Sequence, residues 1–206
     1  MLTPILLRYD IGVTPLYIIK DGAEYRDNVT ITPADIFRHV EEGGALCTTA
    51  AVSEYDYRQI FSQYAHRCDA VIQITIGSGF SSCYQNACQA ASRLENVYVV
   101  DGASAAMGTG ILVELAFRLL DGGMSAKEIA ETLETEKKKI VVVALVDTLE
   151  YLKRGGRISK TAAFAGGILN IKPVLSVIDG EIHLLGKARG SKMGNNLLIQ
   201  EIDKAG

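Results

Sequence analysis

Three short stretches of this 206-residue chain concentrate small side chains that can donate hydrogen bonds: "TTAAVS" (48–53), "GSGFSS" (77–82) and "DGASAAMGTG" (101–110). Each leads into a stretch with helical character, whose first backbone N–H groups need an acceptor. The hydroxyls of Thr48, Thr49, Ser78, Ser81 and Ser82, added to those N–H groups, make donor clusters suited to a phosphate or a carboxylate. The same residues can also serve the chain alone. Ser81 or Ser82 as an N-cap contributes about 0.5–2 kcal/mol, and the glycines can serve only the turn. Residue types leave both uses open.

Several chemistries are excluded by pattern. "GSGF" lacks the lysine of a phosphate-binding P-loop, and "GTG" (108–110) falls inside a predicted helix, so neither nucleotide fingerprint is met. There is no GxSxG elbow, and neither His66 nor His183 is placed to act as a base, which argues against a serine hydrolase. Cys47, Cys68, Cys83 and Cys88 form no CxxC pair and share no zinc spacing with the three histidines, so no metal is expected. A phosphosugar held by "GSGFSS" is the best physical competitor to a carboxylate. Downstream, "RGGRIS" and "KARGSKMG" place Arg154, Arg157, Lys187, Arg189 and Lys192 in polar turns. Arg157 and Arg189, flanked by small residues, can approach a buried acid and offset its desolvation.

These loops need a scaffold, and the hydrophobic pattern supplies one. "VTPLYII" reads as a strand with a short return at "AEYR". "TPADIFRHVEEGG" is a helix with Thr32 as N-cap and Pro33 in its first turn. "SEYDYRQIFSQYAHR" starts at Ser53 and places Tyr57, Ile60, Phe61 and Tyr64 on one face. "AVIQITI", "VYVVD" and "IVVVALV" are apolar strands alternating with helices, one of them opened by an S-x-x-E box at Ser125 and Glu128. That alternation predicts an α/β fold, with a buried, mainly parallel sheet flanked by helices over residues 1–150. "VLSVIDGEIHLLG" predicts a hairpin turning at Asp179–Gly180, followed by a last helix. Residues 151–206 read as the start of a second α/β domain.

Bulk composition narrows the partners. A hydrophobic fraction of 48% and a charged fraction of 22% are those of a globular chain. The net charge of −3 gives no electrostatic case for nucleic acid. No apolar run approaches the roughly 20 residues of a membrane-spanning helix, and no export signal is visible, so stable membrane insertion is not expected. The cysteines read as reduced, mostly buried and cytoplasmic.

Taken in order, "PLYIIKDGAEYRDNVTITPADIF", "TTAAVSEY", "GSGFSSCYQNA", "DGASAAMGTG", "DTLEYLKRGGRIS", "NIKPVLSVIDGEI" and "KARGSKMG" resemble the DegV family of bacterial fatty-acid-binding proteins, which includes the binding subunits of fatty acid kinase. The resemblance covers essentially the whole chain. It implies two α/β domains with one long-chain fatty acid between them, and a carboxylate held by a hydroxyl pair. The matching positions are Thr49, with Thr48 beside it, and Ser81, with Ser82 beside it. Gly156, Arg157 and Arg189 match the family's arginine motifs near the head group. The resemblance further implies no cofactor and no catalysis by this chain: a partner, the catalytic subunit of the kinase, phosphorylates the bound acid to acyl-phosphate. It also implies a first strand ahead of "LLRYDIGVTPL" and more of the lid domain after "RGSKMG", so the lid reads as truncated.

Local departures from the family pattern fall at the head group: "TT" for "TS" at 48–49, Ser82 for glycine, Cys83 for threonine and Gly102 for serine. The tail sets a different demand. A buried chain of about 16 carbons gains on the order of 10 kcal/mol before association costs. Met107 and Ile111 in "AAMGTGILVELAF", and Phe164 and Ile168 in "TAAFAGGILNI", are the tunnel candidates, with ordinary core packing as the competing use.

Overall fold

The structure, a computed structural model, describes residue 9, residues 11–158 and residues 171–205. Strands β1 (Tyr17–Lys20) and β2 (Ala23–Arg26) form a hairpin, and β3 (Thr48–Ala50) pairs with the other side of β1, giving an antiparallel sheet in the order β2-β1-β3. Strands β4 (Val71–Thr75) and β5 (Val97–Asp101) form a parallel pair, in register from Val71↔Val97 to Thr75↔Asp101. Strands β6 (Val142–Leu145), β7 (Ile171–Ile178) and β8 (Glu181–Arg189) form a second antiparallel sheet in the order β6-β7-β8. Between them run α1 (Pro33–Glu41), α2 (Glu54–Ala65), α3 (Cys83–Ala91), α4 (Met107–Asp121), α5 (Ala126–Glu136) and α6 (Glu150–Arg154), with α7 (Gly190–Ala205) after β8. The chain is α/β, with its parallel strands flanked by helices.

Local sequence signals start three of these helices. Thr32 with Asp35, Ser53 with Asp56 and Ser125 with Glu128 each form a reciprocal capping box at α1, α2 and α5. At α2 the Ser53 hydroxyl donates to the Asp56 carboxylate at 2.5 Å and accepts from the Asp56 N–H at 3.1 Å. Hydrogen bonds from the capping hydroxyl hold the carboxyls of Asp35, Asp56 and Glu128 below the usual range.

The parallel pair is a divider between two cores. Val71, Val97 and Val99 turn toward α2 and α3, where Val52, Tyr57, Phe61, Cys83 and Ala87 are buried. Ile72, Ile74, Tyr98 and Val100 turn toward α4 and α5, around Leu112, Ile129 and Leu133. Successive residues serve opposite layers, the period-2 rule applied to strands buried on both faces. Tyr57 and Phe61 are interior as their spacing predicts, whereas Tyr64 on the same helix is 38% exposed.

The strand read from "IVVVALV" is present as β6, but its partner is not the parallel pair. Val142–Leu145 pair antiparallel with Val177–Val174 of β7, so β6 lies in the C-terminal sheet. Strand propensity does not encode the partner, which long-range packing selects. β7 also begins earlier than the hairpin pattern indicates and includes Pro173, whose carbonyl still accepts from the Val146 N–H at 3.0 Å. Helix α7 covers this sheet, with Gly194 against Leu145 and Gly186 against Leu197. Among the four free cysteines only Cys83 is buried; Cys47 and Cys88 are half-buried and Cys68 is exposed, which corrects the expectation of mostly buried thiols. Among the described residues no helix is long and apolar enough to cross a membrane.

Candidate functional site

The adjacent carboxyl ends of β4 and β5 carry the loops 77–82 and 101–106, the address at which open α/β sheets collect ligands. Asp101, the last residue of β5, joins the two loops. Its carboxylate accepts from the Ser78 N–H at 2.9 Å, the Ser78 hydroxyl at 2.5 Å and the Ala103 N–H at 3.0 Å. The Gly77 N–H donates to the Ser104 carbonyl at 2.8 Å. A Cβ at Gly77 would lie 2.8 Å from the Ser104 nitrogen, so the two backbones approach as closely as only glycine permits. Ser78 is therefore committed to the scaffold.

Ser81 and Ser82 divide the remaining roles differently from their sequence reading. Ser82 is the N-cap residue of α3, yet its side chain makes no capping bond. Ser81 takes the first orphan donor instead: its Oγ accepts from the Cys83 N–H at 3.3 Å, and its hydroxyl donates to the Cys83 Sγ at 3.1 Å. Ser81 is half-buried and Ser82 exposed. A hydroxyl held by its acceptor side to a helix start keeps a proton that it can turn toward an anion.

Thr48 and Thr49 lie in an edge strand, not a loop. Among the described residues β3 pairs only with β1, Thr49 opposite Ile18, and both threonines are exposed. The following turn is tied to α3, where Asn86 Nδ2 donates to the Val52 carbonyl at 2.7 Å and Val52 packs in the same core as Cys83. The stretch that carries Thr49 is thus anchored to the helix that Ser81 starts.

From the C-terminal side, Arg157 and the β7–β8 turn reach loop 77–82. Arg157 Nε donates to the Phe80 carbonyl at 2.9 Å, and its Nη1 donates to the Gly155 carbonyl. Gly156, at φ 71°, makes the turn that brings Arg157 there. The hairpin turn has φ 50° at Asp179 and 77° at Gly180, the primed geometry that suits twisted strands. A Cβ at Gly79 would lie 2.2 Å from the Gly180 carbonyl oxygen. Arg189 is at the far end of β8, eight residues beyond Glu181 and about 26 Å along the strand. It therefore takes no part in this contact.

Two of the tunnel candidates open outward: Met107 is 52% and Ile111 49% exposed on α4, so they are not ordinary core. Phe164 and Ile168 lie outside the described residues. Beneath the loops the tyrosines are neutral. Burial raises the Tyr57 hydroxyl far above its ordinary pKa, and the neighbouring Cys83 raises it further. Burial, with a hydrogen bond to Cys88, pushes Tyr84 up to about 12. Among the described residues no cluster of His, Cys, Asp and Glu is arranged to hold a metal ion.

Sequence reasoning missed Asp101, for which an aspartate closing a buried apolar strand was the available signal. It singled out Cys83 only as a departure from the family pattern, because a thiol on an apolar helix face otherwise reads as packing.

Comparison with known proteins places the chain in a family. The family model described as "Uncharacterised protein, DegV family" matches residues 2–206. A DegV domain-containing protein of Caldanaerobacter subterraneus subsp. tengcongensis is 35% identical over 200 residues, covering 96% of this chain and 71% of the relative. A solved structure described as fatty acid binding of a DegV family protein from Thermus thermophilus superposes with a TM-score of 0.89 at 36% identity, covering 98% of this chain and 73% of that one. The fatty acid kinase (Fak) B3 protein of Streptococcus pneumoniae, loaded with linoleic acid, superposes with a TM-score of 0.79 at 27% identity, covering 93% and 69%.

Proposed function

Because this chain belongs to the DegV family, we propose that it binds one long-chain fatty acid, with the carboxylate at the start of α3 and the tail along α4. The Ser81 and Thr49 hydroxyls hold the carboxylate, with Ser82 and Thr48 beside them. Arg157 and Gly156 close the head-group end, and Arg189 stands further along the lid. The lid is the C-terminal sheet with α7, the unit that the sequence divides at residue 151 and that β6 joins. Met107 and Ile111 line the tail. The chain works in the cytoplasm as a carrier and does no chemistry itself.

The observation that carries this reading is the Ser81 hydroxyl, fixed at a helix start between two interlocked loops. Solved relatives at 36% and 27% identity whose descriptions include a fatty acid support the choice of ligand. A phosphosugar fits less well. Asp101 already takes the Ser78 and Ala103 N–H groups that a phosphate would need, and its charge would repel a dianion. In the presence of a fatty acid kinase catalytic subunit, a carboxylate oxygen of the bound acid attacks the γ-phosphorus of ATP, forming acyl-phosphate and releasing ADP.

Native mass spectrometry of the purified protein is the test. A co-purifying long-chain fatty acid is the expected adduct; a polar phosphate ester would overturn the reading. Adding oleic acid, ATP and the kinase catalytic subunit should then yield acyl-phosphate, and no turnover would leave a carrier without that partner.

A further inference from the structure

Ser81 is gripped on both sides by a single neighbour. Its hydroxyl donates to the Cys83 Sγ at 3.1 Å while its oxygen accepts from the Cys83 N–H at 3.3 Å. Cys83 is 2% exposed, packed with Val52, Tyr57, Phe61 and Ala87, so its thiol faces no solvent. A thiol is at once a weak donor and a weak acceptor. It can exchange roles with a hydroxyl at little cost, which neither an alkyl group nor a carbonyl can do.

We infer that Cys83 is a positioning residue for Ser81, forming with it a two-member hydrogen-bond relay that reverses when a carboxylate arrives. In the empty site Ser81 donates to the thiol. With the ligand present, the Ser81 O–H turns to the carboxylate and the Cys83 S–H turns to donate to the Ser81 oxygen. No covalent bond changes; two hydrogens rotate. A hydroxyl that accepts hydrogen bonds becomes a stronger donor, so the Cys83 S–H and N–H together strengthen the hold on the anion. Tyr57, 1% exposed, is buried in the same core cluster as Cys83 and backs the thiol. The weakness of sulfur as an acceptor also matters: the resting bond competes with the ligand less than an oxygen acceptor would.

The inference rests on the fatty-acid reading of Ser81, and titration of oleic acid by calorimetry tests both separately. Cys83→Ala is expected to weaken oleate binding by about fivefold, and Cys83→Ser, which keeps a donor and an acceptor, to restore it to within about twofold. In a Ser81→Ala background, Cys83→Ala should have no further effect. A loss of equal size in both backgrounds, or none in either, overturns the relay. The infrared S–H stretch gives a second readout, assigned to Cys83 by its absence in Cys83→Ala. It should move to lower frequency on adding oleate to the wild type and stay fixed in Ser81→Ala. An unmoved band in a protein that binds oleate overturns the relay alone, whereas a wild type that binds no oleate brings down the fatty-acid reading and the relay with it.

Discussion

Loop 77–82 and the stretch 48–53 carry the same kind of side chain but are held in unlike ways. The loop is fastened on three sides: by Asp101 from β5, by the Arg157 guanidinium at Phe80, and by the hairpin turn that presses Gly180 on Gly79. The stretch 48–53 opens as an edge strand with exposed threonines, joined to β1 by its backbone and to α3 through Asn86. A group fixed before the ligand arrives loses little freedom on binding, so in the proposed site Ser81 is preorganised where Thr49 has to be ordered. The pair of hydroxyls is therefore not symmetric, whatever their chemical likeness.

The sharpest way to break this contrast is to remove the fastening. Asp101→Ala leaves two N–H groups and a hydroxyl without their acceptor, and is expected to lower stability by about 3 kcal/mol in urea denaturation and to abolish measurable oleate binding. A wild-type urea midpoint would show that the loop owes its fixity to something else. Gly79→Ala comes next, because its new Cβ would meet the Gly180 carbonyl, which is backbone and cannot swing aside; about 2 kcal/mol is expected, with weakened binding. At the edge strand, Thr49→Val should change stability by no more than about 0.5 kcal/mol.

Affinity then separates the two hydroxyls directly. Ser81→Ala should weaken oleate by about tenfold and Thr49→Val by about threefold, with the fold intact by circular dichroism. Equal losses would erase the distinction between a preorganised and a recruited donor. The last comparison concerns the start of α2, where the stretch 48–53 ends. Ser53→Ala is expected to cost about 1 kcal/mol at neutral pH. Asp56 has a depressed pKa, held down chiefly by the Ser53 hydroxyl, so its contribution is present above the ordinary aspartate value of 3.8 and is lost as pH falls through its folded value. The stability gap between wild type and Ser53→Ala should thus be constant near neutrality and narrow in acid.

Much of the scaffold was legible because its signals are local. The capping residues Thr32, Ser53 and Ser125 mark helix starts within four residues, and Asp179–Gly180 marks a turn within two. The unbroken apolar run Val97–Val100 tells that β5 is buried on both faces. The site was legible only in part. Its loops stand out by composition, yet the division of work between Ser81 and Ser82 depends on the exact backbone angles before α3, where the nominal N-cap makes no capping bond. Asp101, Arg157 and Gly180 reach the same loop from positions 20 to 100 residues away, and no window of sequence contains that meeting.

By itself the sequence determined the α/β class, the helix starts, the hairpin and the family, because each is written in short-range pattern or in motifs taken in order. Tertiary structure alone decided that β6 pairs with β7, that Ser78 belongs to Asp101, and that Ser81 rests against a buried thiol. Those outcomes depend on which distant groups come within about 3 Å of one another. The reason is physical: propensity and periodicity act along the chain, whereas hydrogen-bond partners and packing neighbours are chosen across it.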